Sequence, residues 1–248
     1  RHTATDWDTA LDRLGQLVRG TSGSALILAS GRASIESLGL VRMMLGKLDV
    51  TAAVQVPLGD EAPLAGIPDL ALRRERAPNL AGAELLGYRP SWEEALRSAD
   101  GAGLIVVLDA DLTDSDQALL AATPGSLVVL GTVWPDGLRN ADLVLPITNM
   151  AEENGTYVNR DRRIQRFTQA KSQPGMARPA WWVAGEVLAG PGPSPTAPST
   201  AAEAFLLLGE RWPAFAGLTH ADMGFTGRVL GLALDRSAES QQADLGVV

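Results

Sequence analysis

Short runs of apolar, often β-branched residues alternate along this chain with stretches whose apolar positions recur every three or four residues. That alternation constrains the fold more than any other feature, because it is the pattern of βα units around a mostly parallel sheet with helices on both faces. It predicts an α/β, Rossmann-like fold. Trp7, Leu11, Leu14 and Val18 share one helical face, and Thr5 with Asp8 has capping-box spacing at its start. Ala25 to Ala29 reads as a bare apolar strand, Gly31 as a turn, and Ile35, Leu38, Val41, Leu45 and Leu48 as the helix that follows. Ala53 to Val56 is the next expected strand, and Pro57 to Pro90 an extended, irregular connection.

Ser91 and Glu94 repeat the capping spacing before Trp92, Ala95 and Leu96, and Leu104 to Leu108 is a strand. Thr113 and Asp116 cap a helix through Leu119 and Ala122; Leu127 to Leu130 and Leu143 to Leu145 are strands, the latter stopped by Pro146. From Ile147 to Arg178 the chain is polar and without helical period, a long ordered loop of the kind that carries function. Trp181 to Leu188 predicts a helix. The expected organisation is an α/β domain over residues 1–190, a Pro/Ser linker over 191–200 and a C-terminal docking tail over 201–248, whose apolar residues are Phe205, Leu208, Trp212 and Phe215. No fixed-period repeat is present.

Composition narrows the chemistry. The chain has 248 residues, 46% hydrophobic and 20% charged, enough for a buried core, and none of its apolar runs approaches the length of a bilayer span. Twenty-one Lys and Arg against 29 Asp and Glu leave a net charge of −8, which repels nucleic acid and anionic lipid. Cysteine is absent, so disulfides, thiolate nucleophiles and Cys-ligated zinc or iron–sulfur clusters are excluded from this chain. His2 and His220 stand alone near the two ends, against a His-based metal site or a Ser-His-Asp triad. Beginning at Arg1, without a signal or transit pattern, the chain reads as a piece of a longer polypeptide or a processed one.

Three places can hold chemistry. Ser30 to Ser34, between a strand and a helix, either meets an anion with backbone N–H groups and Arg32 or is a plain turn with Ser34 as helix cap. Asp109 and Asp111, at a strand's carboxyl end, are either an acid/base or metal pair or a solvated loop cap. The most informative stretch is Ala141 to Phe167, which gathers Glu152, Glu153, Asn154, Thr156, Asn159, Arg160, Arg162, Arg163 and Arg166 about Gly155. Such a loop either cradles a phosphate-bearing cofactor through arginines and amides or neutralises itself internally. The six tryptophans read as core and interface aromatics.

The order Ala141, Asp142, Leu145, Pro146, Glu153, Gly155, Thr156, Asn159, Arg163, Gln165 resembles the motif of the molybdopterin oxidoreductase family. PGMARPAWW, Pro174 to Trp182, is similar to a family segment in which Glu is common where Met176 stands. TDWDTALDRL and SGRASIESL resemble the family's opening helix and its strand-helix segment, with Ile35-Glu36 where an Asn-Glu pair is usual. The resemblance covers Trp7 to Leu188, and only Ala141 to Trp182 is specific. Within the family the chain looks like the C-terminal part of the large iron–sulfur subunit of respiratory NADH:quinone oxidoreductase, complex I. Asp109-Ala110-Asp111 stands where cofactor-binding members carry a Gly-x-Asn-Pro turn.

The resemblance implies a structural, cofactor-free scaffold supporting NADH-to-quinone electron transfer, without catalytic residues and inactive in isolation. It implies Thr148, Glu153, Asn154, Gly155, Thr156, Asn159, Arg163 and Gln165 as the cofactor-binding motif, here structural, with Glu153 and Arg163 as ion-pair or hydrogen-bond partners. No molybdopterin or metal is expected on this chain; iron–sulfur clusters are expected in a preceding Cys-rich part or in partner subunits. The expected partners are the other subunits of a respiratory peripheral arm, with no nucleic acid and no membrane insertion. The expected location is cytoplasmic, peripheral to the inner membrane. Two alternatives remain: part of a formate dehydrogenase-like oxidoreductase that binds molybdopterin guanine dinucleotide, or a protein-interaction module using the tail.

Overall fold

A computed structural model describes residues 3–190 and 197–231. Five strands form a parallel sheet: β1 (Ser24–Ser30), β2 (Asp49–Gln55), β5 (Leu104–Leu108), β6 (Ser126–Gly131) and β7 (Leu143–Pro146), in spatial order β2-β1-β5-β6-β7. The period of two in their side chains fills both faces. Ile27 and Ala29 of β1, with Val106 and Leu108 of β5, enter one core layer; Leu26, Leu28, Ile105 and Val107 enter the other. The first layer is covered by α1 (Trp7–Gly20), α2 (Ile35–Met44) and α6 (Ala180–Ala189), the second by α4 (Trp92–Arg97) and α5 (Asp114–Ala121). The α/β architecture read from the alternating pattern is the one found.

Local signals decide element ends. Ser34 caps α2 by accepting from Ser37 N, and Thr113 with Asp116 forms a reciprocal capping box on α5, both as expected. The expected Thr5–Asp8 box does not form: Asp6 caps α1, accepting from Thr9 N, because it is the residue that turns extended at that point. Ser91 precedes α4 without a side-chain cap bond. The connection from Pro57 to Pro90 is more ordered than expected. It holds a hairpin, β3 (Ala62–Leu64) with β4 (Ile67–Leu72), and a short helix, α3 (Leu80–Leu85).

Beyond β7 the polar stretch folds into an antiparallel pair, β8 (Gly155–Val158) and β9 (Arg163–Phe167), extended by β10 (Arg228–Val229). After the linker, α7 (Ala201–Arg211) lies on α2 and buries Phe205 and Leu208 completely; α8 (His220–Met223) then brings His220 back to the start of α2. The linker residues 191–196, the final residues 232–248 and His2 lie outside the described residues. Among the described residues, no helix is long and apolar enough to cross a membrane.

Candidate functional site: the switch-point crevice

Strand order reverses between β1 and β5, since the chain moves outward from β1 to β2 in one direction and from β5 to β6 and β7 in the other. In open α/β sheets that switch point is where ligands sit, against the carboxyl ends of the strands. Here the crevice is bordered by the turn after β1, by Asp109 at the end of β5, and by Ile147 to Met150 and Glu153 from the segment after β7. The cavity left between them is about 60 Å³.

Glu153 forms its inner wall. It is buried, accepts a hydrogen bond from the Thr148 hydroxyl at 2.9 Å, and has the Ser34 hydroxyl within hydrogen-bonding reach. Burial pushes its carboxyl up to about 8; the hydroxyls oppose that shift, and the nearby Glu36 and Asp109 add to it. Asp109 is left-handed, with φ of 49°, and its Oδ1 accepts from both the backbone N–H and the hydroxyl of Thr132. Asp111 is held twice. Arg32 donates to its carboxylate at 2.8 Å, while the Gln55 amide accepts from its N–H at 2.9 Å and donates to its carbonyl at 2.5 Å. Strands β1 and β2 therefore both reach across the crevice mouth.

A second layer lies below. Glu36, in the first turn of α2, is fully buried and accepts from Thr156 N at 2.9 Å and the Thr156 hydroxyl at 3.0 Å; His220 Nε2 is 2.9 Å from the same carboxylate. Asn79 accepts from Val158 N and donates to Ala33 O, and the Tyr157 hydroxyl donates to Arg32 O. These bonds stitch β8 to the turn after β1. Burial, with Glu153 and Glu36 nearby, pushes the Tyr157 phenol well above its ordinary value, so it stays a donor.

Of the residues singled out in the sequence, Arg32, Asp109, Thr148 and Glu153 line the crevice. Thr156 is bound to Glu36 beneath it. Gly155 lies where a Cβ would strike Phe167 and Ser34 at 2.6 and 2.8 Å, which makes it a packing glycine. Asn154 accepts from Gln169 N, and Asn159 accepts from Asp161 N and Arg163 N to close the β8–β9 turn. Gln165 stands opposite Tyr157 on β9. Arg163 and Glu153 are not partners: Arg163 donates to the carbonyls of Thr226 and Gly227, because β9 carries it toward β10 and away from the crevice. Glu152, itself buried, pairs with the exposed Lys171 at 2.8 Å. No group of three or more His, Asp or Glu placed to hold a metal occurs among the described residues.

Gln55, Glu36, Asn79, Tyr157 and His220 were not legible as site residues, save Glu36 through the family segment it falls in. The one local signal is a carboxylate inside an otherwise apolar helical run, Ile35-Glu36-Ser37-Leu38.

Residues 89–189 match the family model for molybdopterin oxidoreductase. This stretch is similar to molybdopterin oxidoreductase family domains. The chain is similar to the alpha subunits of F420-dependent formate dehydrogenases 2 and 1 of Methanococcus maripaludis. Identity to the first is 30% over 123 residues, 49% of this chain and 18% of the relative. To the second it is 30% over 136 residues, 54% of this chain and 16% of the relative. It is also similar to the iodate reductase subunit IdrA of Pseudomonas sp. strain SCT, 32% identical over 88 residues, 36% of this chain and 9% of that one. The chain thus spans less than a fifth of the length of these curated relatives.

The family name implies a molybdopterin cofactor, and the donor set at the crevice tests it. A dinucleotide form brings a pyrophosphate, which needs free N–H and hydroxyl donors and a cation. The Thr148 and Thr132 hydroxyls are spent on Glu153 and Asp109, and Arg32 is spent on Asp111. The cavity of about 60 Å³ suits one or two waters, against roughly 300–1,000 Å³ for small-molecule sites. The residues at this switch point do not fit a pyrophosphate.

Proposed function

We propose that the chain is part of a molybdopterin-family oxidoreductase of the formate dehydrogenase-like kind, in which it forms one α/β domain of a much longer polypeptide. The observation that carries this reading is the match of residues 89–189 to the family, with formate dehydrogenase and iodate reductase subunits as relatives. They favour it over the complex I scaffold. In such a protein formate is oxidised to carbon dioxide with release of one proton and two electrons, and the residues that hold the cofactor belong to the larger remainder of the polypeptide. This domain contributes a rigid frame: the parallel sheet, the capped α2 and the β8–β9 pair stitched to it through Glu36 and Asn79.

The test is to purify the full-length protein from its native source and measure molybdenum, tungsten, released pterin and formate-dependent dye reduction. Stoichiometric pterin with molybdenum or tungsten, together with formate oxidation, supports the reading. Iron without pterin overturns it in favour of the second reading, a cofactor-free scaffold in the large iron–sulfur subunit of NADH:quinone oxidoreductase. What favours that second reading is the crevice closed by the chain's own side chains, in a chain without cysteine. In either case its partners would be other subunits of an electron-transfer assembly.

A further inference from the structure

The carboxyl ends of β1 and β5 frame a crevice of the kind that takes a nucleotide in this strand order, yet the Thr148 hydroxyl and the Arg32 guanidinium there already have partners within the chain. We propose that the crevice is a self-filled nucleotide site: the Glu153 carboxyl takes the ligand's place beside the start of α2, and Gln55 with Arg32 lashes the Asp109–Asp111 turn across the mouth, so that this domain rejects phosphate-bearing ligands.

Three independent pieces of geometry carry this. Glu153 is buried with its carboxyl on the Thr148 hydroxyl, so the inner volume and a donor are both taken. The Gln55 amide makes two hydrogen bonds to the backbone of Asp111, fixing a turn that comes from a different strand. Arg32, which lines the crevice, pairs with Asp111 at 2.8 Å. That pair is half exposed and contributes little to stability, so Glu153 and Gln55 supply most of the closure, and the contact with Asp111 serves to occupy the Arg32 charge. Filling by a side chain avoids the cost of leaving the Thr148 hydroxyl unpaired in a dry crevice. The proposal concerns this domain alone and holds whichever redox centre the full protein carries.

The experiment uses inorganic pyrophosphate and guanosine diphosphate as probes, in titration calorimetry and phosphorus NMR on the chain. The wild-type chain is expected to bind neither at millimolar concentration. The variant combining Glu153→Ala with Asp111→Asn frees the Thr148 hydroxyl and Arg32, and is expected to bind pyrophosphate at least about tenfold more tightly. Wild-type binding of guanosine diphosphate at micromolar concentration, with NMR shifts at Arg32 and Thr148, would overturn the proposal. So would a folded double variant with no gain. Glu153→Gln is the control that keeps shape and filling: it is expected to reject both probes, and its binding them as well as the double variant would also sink the idea. Pterin analysis of the full protein is a separate readout, so this proposal and the functional reading fail separately.

Discussion

At the scale of single residues, two buried carboxyls carry testable consequences. Glu153 has its carboxyl pushed up to about 8 by burial, against an unfolded value near 4.5. The unfolded chain therefore ionises first as pH rises, so stability tied to this group is complete below about pH 4.5 and lost progressively up to about pH 8. Glu153→Gln removes that loss while keeping an acceptor for Thr148. Its melting temperature relative to wild type is expected to rise between pH 5 and pH 8.5, by an amount worth several kcal/mol at most; a constant difference across that range would contradict the assignment. Glu36 accepts three hydrogen-bonding groups from Thr156 and His220 in a fully buried position. Glu36→Ala strands those donors, and urea unfolding is expected to record a loss of about 3 kcal/mol or more, with Glu36→Gln recovering part of it.

At the scale of elements, α2 is surrounded: the sheet lies below it, α6 and α7 beside it and β8 at its start. Gly39 lets α7 come close, since a Cβ there would stand 2.5 Å from Leu208 Cδ2. On an exposed helix Gly→Ala gains about 1 kcal/mol. Here Gly39→Ala is expected to cost about 1–3 kcal/mol through overpacking, and Gly39→Ala with Leu208→Ala to cost less than the two changes added. Additive costs in a double-mutant cycle would refute this crossing. The strands with bare apolar runs were legible because both faces of a parallel sheet are buried, and Leu104 to Leu108 lies where the pattern put it. The β3–β4 hairpin and β8–β9 were not, because their residues alternate weakly, and β8 is held by Glu36 and Asn79, far away in sequence.

For the molecule as a whole, the core is continuous from the sheet into the region after the linker: Phe205, Leu208, Phe215 and Met223 belong to the same buried layer as Ile27 and Val41. Deleting the chain after Gly190 uncovers α2 and removes His220 from Glu36. The truncated protein is expected to lose several degrees or more of melting temperature and to be cleaved faster by protease; unchanged values would mean that α7 is dispensable to the fold. The apolar face of α7 that packs on α2 was legible from Phe205 and Leu208. The tie through His220 was not, since a lone histidine carries no periodic signal.

That tie also sets an order of events in time. Glu36 leaves the ribosome 120 residues ahead of Thr156 and 184 ahead of His220. At roughly 5–20 residues per second, the first βα unit waits on the order of 10–40 seconds before its central carboxylate can be satisfied. A nascent chain halted before residue 156 carries that carboxylate in water, so the packed form of α2 becomes accessible only late in synthesis.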